Sequence, residues 1–199
     1  INSALLVPLI FEKNQYSKYD HFDLRLNKNK EITGFKVKNF KSVNPSGDFG
    51  VEAVNSTAVL IDKKKINQIG GWDNYFYTYL EDIDLCYRVR KSNFEIIKVK
   101  NSIVNHTGFQ SHKLSKHDEI NKKRIFNFNK SSLYFDYKNK SKFYFYLQLS
   151  KNLSKIILKL IVNTILFKRK KIQINLIKLK SYYYFFFLEN FGKKNIQIK

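Results

Sequence analysis

Residues 70–88 read Gly70-Gly71-Trp72-Asp73-Asn74-Tyr75-Phe76-Tyr77-Thr78-Tyr79-Leu80-Glu81-Asp82-Ile83-Asp84-Leu85-Cys86-Tyr87-Arg88. A glycine pair stops what precedes it, an aromatic run follows, and three carboxylates then fall at what reads as a helix start. Carboxylates are favoured there by the free N–H groups and the helix dipole. Asp84 and Arg88 stand one turn apart and can pair on the helix surface. The helix is expected from near Glu81 to Ser92, with Asn93 suited to a left-handed cap. Phe94–Val99 and Ser102–Asn105 follow as two short strand candidates, and His106 closes the second.

Upstream, Lys63–Gln68 reads as a short helix stopped by the glycines. Within Val51–Asp62, the run Ala58-Val59-Leu60-Ile61 is expected as a buried strand. Residues 4–11 are an apolar run of strand length, and Pro8 places them at a sheet edge or strand end. Residues 12–34, polar and charged, are expected as a surface loop. Phe35–Phe40 alternates like a half-exposed strand, and 44–48 is a turn cluster. Strands alternating with helices imply an α/β sheet. The chain opens on Ile1 next to an apolar run and contains no Met. That gives the expectation of a piece of a longer protein.

Beyond about residue 115 the composition shifts to Leu, Ile, aromatics and Lys. A helix over Lys142–Phe167 carries Gln148, Lys151, Asn152, Lys155, Lys159 and Asn163 on one stripe, with the remainder apolar. Its lysines interrupt every run long enough to span a bilayer. The basic knot Lys168-Arg169-Lys170-Lys171 leads into a second helix ending in Tyr182–Phe187. The expected division is therefore 1–115, an α/β half, and 116–199, a helical, basic and aromatic extension associated with membrane.

Net charge is +21, from 37 Lys and Arg against 16 Asp and Glu. Such an excess favours anionic partners, but Lys, Asn, Ile, Phe and Tyr are all abundant together, as AT-rich coding produces. Charge alone therefore assigns no partner. Cys86 is the only cysteine, so no internal disulfide forms and a reducing compartment fits.

Two readings of the carboxylate cluster compete. A well-capped helix with an ion pair accounts for Glu81, Asp82 and Asp84. Alternatively, a carboxylate on the first turn of a rigid helix, beside aromatic rings, is placed to act as a general base on a hydroxyl. His106 divides likewise between an ordinary surface or core histidine and a ligand beyond a strand's carboxyl end, where imidazole suits a divalent ion.

The whole constellation resembles the C-terminal half of the catalytic domain of family 2 glycosyltransferases, rhamnosyltransferase-like members included. These inverting enzymes have a GT-A-type, Rossmann-like fold and commonly read Gly-Gly-Phe-Asp-Glu, then Phe-Phe-x-Tyr-x-Glu-Asp-x-Asp-Leu, an Arg, and a strand ending in His. This chain supplies Gly70-Gly71-Trp72-Asp73, Phe76 to Leu85, Arg88 and His106. Trp72 and Asn74 replace Phe and Glu, Asn93 replaces a helix-ending Gly, Lys100 a Pro, and Asn55-Ser56-Thr57 a small-residue segment. The family's Asp-x-Asp metal motif lies upstream of the strand that Ala4 to Ile10 resembles, so it is expected in a nucleotide-binding half before Ile1. The resemblance covers about residues 1–115.

It implies that Asp82 is the catalytic base and that Glu81, Trp72, Gly71 and Tyr79 bind the acceptor. It further implies that His106 is one ligand of a Mg²⁺ or Mn²⁺ ion whose other ligands lie in the absent motif. The implied partners are a nucleotide-sugar donor, a glycan or lipid-linked saccharide acceptor and an anionic membrane surface, with no nucleic acid. The implied place is the cytoplasmic, inner face of a bacterial cell membrane. Two rivals remain: a basic, aromatic nucleic-acid-binding module, which leaves the glycines and carboxylates without a role, and an inactive membrane-surface scaffold.

Overall fold

The first strand, β1 (Ser3–Glu12), is buried or half-buried at every position, with Ala4, Leu5, Val7, Leu9 and Ile10 among the most enclosed side chains. Near-continuous burial marks a strand covered on both faces and flanked on both sides. The computed structural model describes residues 2–12, 15–16, 21–26, 32–37, 47–76, 78–107 and 117–188, with the side chains of 15–16, 21–26, 32–37, 117 and 188 excepted.

In it β1 lies inside a mixed sheet of order β2-β1-β8-β5. It runs parallel to β8 (Glu95–Asn105) on one side. On the other it pairs antiparallel with β2 (Gln15–Tyr16) and β7 (Leu60–Ile61). β5 (Phe49–Val51) adds antiparallel to β8.

The edge position expected for β1 is thus corrected to an interior one. Pro8 is tolerated because β7 pairs with Leu5 and Leu6 while β2 pairs with Phe11 and Glu12, so Pro8 falls between them. On the β8 side the register breaks between Pro8 and Leu9, and a bulge is where a proline fits a sheet. The Pro8 carbonyl accepts from Lys98 Nζ at 2.7 Å.

The two strands expected over 94–105 are one strand, β8, kinked at that same bulge. The run 58–61 is not buried: β7 is two residues long, and Leu60 is 68% exposed. The enclosed pair is instead Ala53–Val54, strand β6.

The 12–34 loop is also corrected. His21–Leu26 forms β3 and Ile32–Val37 forms β4, an antiparallel pair that β6 extends to three strands. His21-Phe22-Asp23-Leu24-Arg25-Leu26 alternates with period 2, a signal outweighed in the sequence by its charges. Of the expected turn at 44–48, residues 44–46 lie outside the described residues. Asp48 accepts from the Lys100 amide at 2.8 Å.

Three helices follow: α3 (His117–Asn139), α4 (Lys142–Ile165) and α5 (Arg169–Tyr183), which continues as a π-helical turn over Tyr184–Leu188. The protein is mixed α/β, a mixed sheet followed by C-terminal helices. Its chain divides into two compact units, Ile1–Tyr75 with Glu81–Ser111, and Phe76–Leu80 with His112–Lys199. The short segment Phe76–Leu80 therefore belongs with the helices, which the sequence division at 115 did not anticipate.

Candidate active site

Helix α1 (Lys63–Gln68) starts at Asp62, whose Oδ1 accepts from the Lys64 and Lys65 amides at 3.0 and 3.2 Å. Those amides, that of Lys65 first, hold the Asp62 carboxyl below its ordinary value. Such a cap satisfies amides that the first turn of a helix leaves without a partner. The helix ends as expected: Gly70 and Gly71 have φ of 86° and 67°, and the Gly71 amide turns back to the Ile66 carbonyl at 2.9 Å. This left-handed pair is where glycine is required. It delivers Trp72, 39% exposed, to a surface where its ring can be stacked upon. Asp73 then accepts from the Tyr75 amide at 2.9 Å, closing the turn.

Helix α2 (Glu81–Lys91) runs as expected, ending at Asn93 with φ 60° and the Phe94 amide bonded to the Val89 carbonyl at 3.1 Å. Ile83, Leu85, Cys86, Tyr87 and Val89 are all buried, so this helix is anchored on almost every side. Burial pushes the Cys86 thiol up to about 12, and it is chemically inert.

The three carboxylates divide by environment. Asp84, fully buried, accepts from Arg88 Nε at 2.8 Å, the ion pair expected from the spacing. Arg88 Nη1 donates to the Ile69 carbonyl at 2.8 Å, so α2 pins the end of α1 just before the glycines. This is a supporting pair, because removing either charge leaves the other stranded in a poorly solvated place.

Asp82 has no cationic partner of that kind among the described residues. Its Oδ1 accepts from the Ile83 amide at 2.8 Å, and its Oδ2 has only a long contact, 3.4 Å, from the Ser56 amide. Burial, and secondly the charge of Glu81, raise its carboxyl to about 6, against the pull of those amides. A carboxylate with that value near neutrality is suited to take a proton from a hydroxyl. Glu81 Oε2 is buried and finds no partner among the described residues, and the same holds for Arg88 Nη2. A buried carboxylate oxygen without a donor is costly, and a ligand hydroxyl would satisfy it.

The structure thus joins Glu81, Asp82 and the Ser56 amide, and ties the Gly70–Gly71 turn to α2 through Arg88. It does not join the remaining expected residues to them. Tyr79 belongs to the second unit. There its ring meets Phe128 edge-on at 5.8 Å, beside an open pocket of about 380 Å³ also lined by Arg124, Asn129 and Lys178. Tyr79 and Leu80 both have positive φ, 70° and 66°. Two successive non-glycine residues in that region carry strain, about 1–3 kcal/mol each. The segment is held by Ser131 Oγ donating to the Thr78 carbonyl at 2.8 Å and by Phe76 packing edge-on against Tyr134 at 5.0 Å.

His106 stands exposed just beyond β8, its amide bonded to the Phe11 carbonyl at 2.8 Å. Among the described residues no group of three His, Cys, Asp or Glu side chains could hold a metal ion. The described side chains do not by themselves fit the divalent ion that the resemblance implies.

Two contributors escaped the sequence reading. Ser56 acts through its backbone amide, which no side-chain motif reveals. Lys98, fully buried in β8, falls two residues from the buried Ile96. That period-2 placement on an inward face was the available signal. Scanned against known protein families and against curated proteins, the sequence matches none.

Proposed function

We propose that this chain provides the acceptor side of an inverting glycosyltransferase centre of GT-A type, acting on a saccharide hydroxyl with a nucleotide-sugar as donor. The observation that carries the reading is the Glu81–Asp82 pair. One carboxyl is raised to about 6 in spite of the amides bonded to it, and its neighbour holds a buried oxygen without a donor among the described residues. A helix that was merely well capped would need neither feature.

In the proposed reaction Asp82 accepts the proton of the acceptor hydroxyl as that oxygen attacks the anomeric carbon from the face opposite the leaving group. The new glycosidic C–O bond forms while the bond to the nucleotide diphosphate breaks, and the electron pair departs with the diphosphate. Glu81 accepts a hydrogen bond from the acceptor and fixes its orientation. The tight turn at Gly70–Gly71 keeps the backbone clear, and Trp72 offers a face for a sugar ring. His106 would serve a divalent ion only together with ligands outside the described residues.

The acceptor class we favour is a cell-surface glycan or lipid-linked saccharide on the cytoplasmic side of a bacterial membrane. No helix among the described residues is long and apolar enough to cross a membrane, which is compatible with peripheral attachment. Acceptor binding tests the reading separately from turnover. Saturation-transfer NMR with surface-glycan oligosaccharides should show contacts that weaken about tenfold in Trp72→Ala and in Glu81→Gln. Unchanged contacts in both variants would remove the acceptor assignment.

A further inference from the structure

Helices α4 and α5 form a hairpin that encloses several amides and leaves part of its apolar surface outward. The sequence pattern suggests that the amide and lysine stripe of α4 faces away from its apolar side as a single polar face. The structure splits that stripe. Asn163 is buried, Gln148 and Asn152 are half-buried, and Asn152 pairs with the buried Tyr182 of α5. Asn175 and Ser181 of α5 are buried as well. The hairpin interior mixes these amides with the buried Phe145, Ile156 and Tyr182, while Lys151, Lys155 and Lys159 and a second set of aliphatic side chains face outward.

The outward side chains are concentrated toward the turn: Ile157, Leu158, Ile161, Ile165, Leu166 and Phe167, the last 87% exposed. Exposed apolar side chains gathered in this way mark an interaction surface more often than ordinary solvent-facing surface does. Of the polar residues along the exposed side, Lys151, Lys155 and Lys159 carry their charge on long stems that can reach the headgroup level, and the hydroxyls are bonded internally. Ser150 Oγ donates to the Leu147 carbonyl at 2.9 Å, Ser154 Oγ to Ser150 at 2.9 Å, and Thr164 Oγ1 to Leu160 at 2.8 Å. Hydroxyls bonded back onto their own helix can enter an apolar phase without losing a partner.

Charge selects the occupant. Immediately after Phe167 come Lys168, Arg169, Lys170 and Lys171, and no Asp or Glu occurs anywhere from Lys142 to Leu188. An apolar tip followed at once by four cations matches the boundary between acyl chains and anionic headgroups. A second copy of this face would bring the same four cations near one another.

We infer that the α4–α5 hairpin is an interfacial membrane anchor: the turn around Phe167 enters the acyl boundary of an anionic bilayer, and residues 168–171 bind its headgroups. This stands on the second unit alone, independently of the sugar-transfer reading.

The full chain carrying Phe167→Cys can be labelled with an environment-sensitive fluorophore, since the only other thiol, Cys86, is buried and inert. Ile165→Cys provides a second probe position. With phosphatidylglycerol vesicles, both labels should shift to the blue and be quenched by brominated acyl chains; with phosphatidylcholine vesicles they should not. Changing residues 168–171 to Gln should weaken binding to the anionic vesicles, roughly several hundredfold, at about fivefold per cation. No shift with either vesicle, or an equal shift with both, overturns the inference. A lipid-free blue shift that grows with protein concentration also overturns it, assigning the face to a second copy of the chain.

Discussion

Asp82→Asn should make the protein more stable at neutral pH and remove a specific part of its pH dependence. The Asp82 carboxyl sits at about 6 in the folded chain against 3.8 for an unperturbed aspartate. A raised value means that the folded state binds the proton more tightly than the unfolded state. Stability is therefore greatest below about 3.8 and declines as pH rises to about 6, beyond which the full penalty is present. About two units at 1.36 kcal/mol each give nearly 3 kcal/mol. Allowing for the water that reaches this partly exposed group, the expected effect is about 2–3 kcal/mol.

Asparagine cannot ionise, and its oxygen can still accept from the Ile83 amide. The loss of the long Ser56 contact is roughly constant with pH. Urea unfolding of both proteins at pH 3.5 and 7.5 isolates the term, because other titrating groups largely cancel in the difference. The stability of Asp82→Asn relative to the parent should rise by about 2–3 kcal/mol between the two pH values. A relative stability that stays flat, or falls, would show that Asp82 is not held in its ionised form at a cost. The argument that the site keeps it as a base would fail with it.

Three other substitutions follow from the same geometry. Glu81→Gln should lower the Asp82 value, seen by carboxyl-carbon NMR titration, but not return it to 3.8, because burial is the larger cause and Glu81 the second. Asp84→Ala should destabilise by about 3–5 kcal/mol in urea unfolding, since it strands Arg88 beside a fully buried position. Gly71→Ala should cost about 1–2 kcal/mol by the same assay from its φ of 67° alone, because a Cβ there meets no atom within 4 Å.

Local chemistry made one part of the fold legible. The glycine pair, the carboxylates from Glu81 and Asn93 are punctuation marks whose effect is confined to a few residues, and the end of α1 and both ends of α2 fall where those marks predict. Pairing between distant segments was not legible. Pro8 argued for an edge, yet a gap between β7 and β2 accommodates it in an interior strand. Leu60 and Ile61 look like core residues and lie exposed, because only two residues of that run pair with β1.

The site was readable as a list of side chains, and its energetics were not. The value of Asp82 depends on burial and on the Ser56 amide, neither of which spacing encodes. The outward face of α4 was hidden for a similar reason. An amphipathic pattern shows two faces but not which side chains pack, and here Asn152 and Asn163 turn inward while part of the apolar side stays exposed.

The central claim is that Asp82 acts as the base in sugar transfer, and the pH dependence of transfer by the native protein tests it most directly. With a nucleotide-sugar donor and a surface-glycan acceptor, kcat/KM should fall about tenfold per pH unit below about 6. In Asp82→Asn the rate should drop by about 10²–10⁴ and lose that limb. Transfer by Asp82→Asn at a near-normal rate, with the same limb near pH 6, would contradict the account.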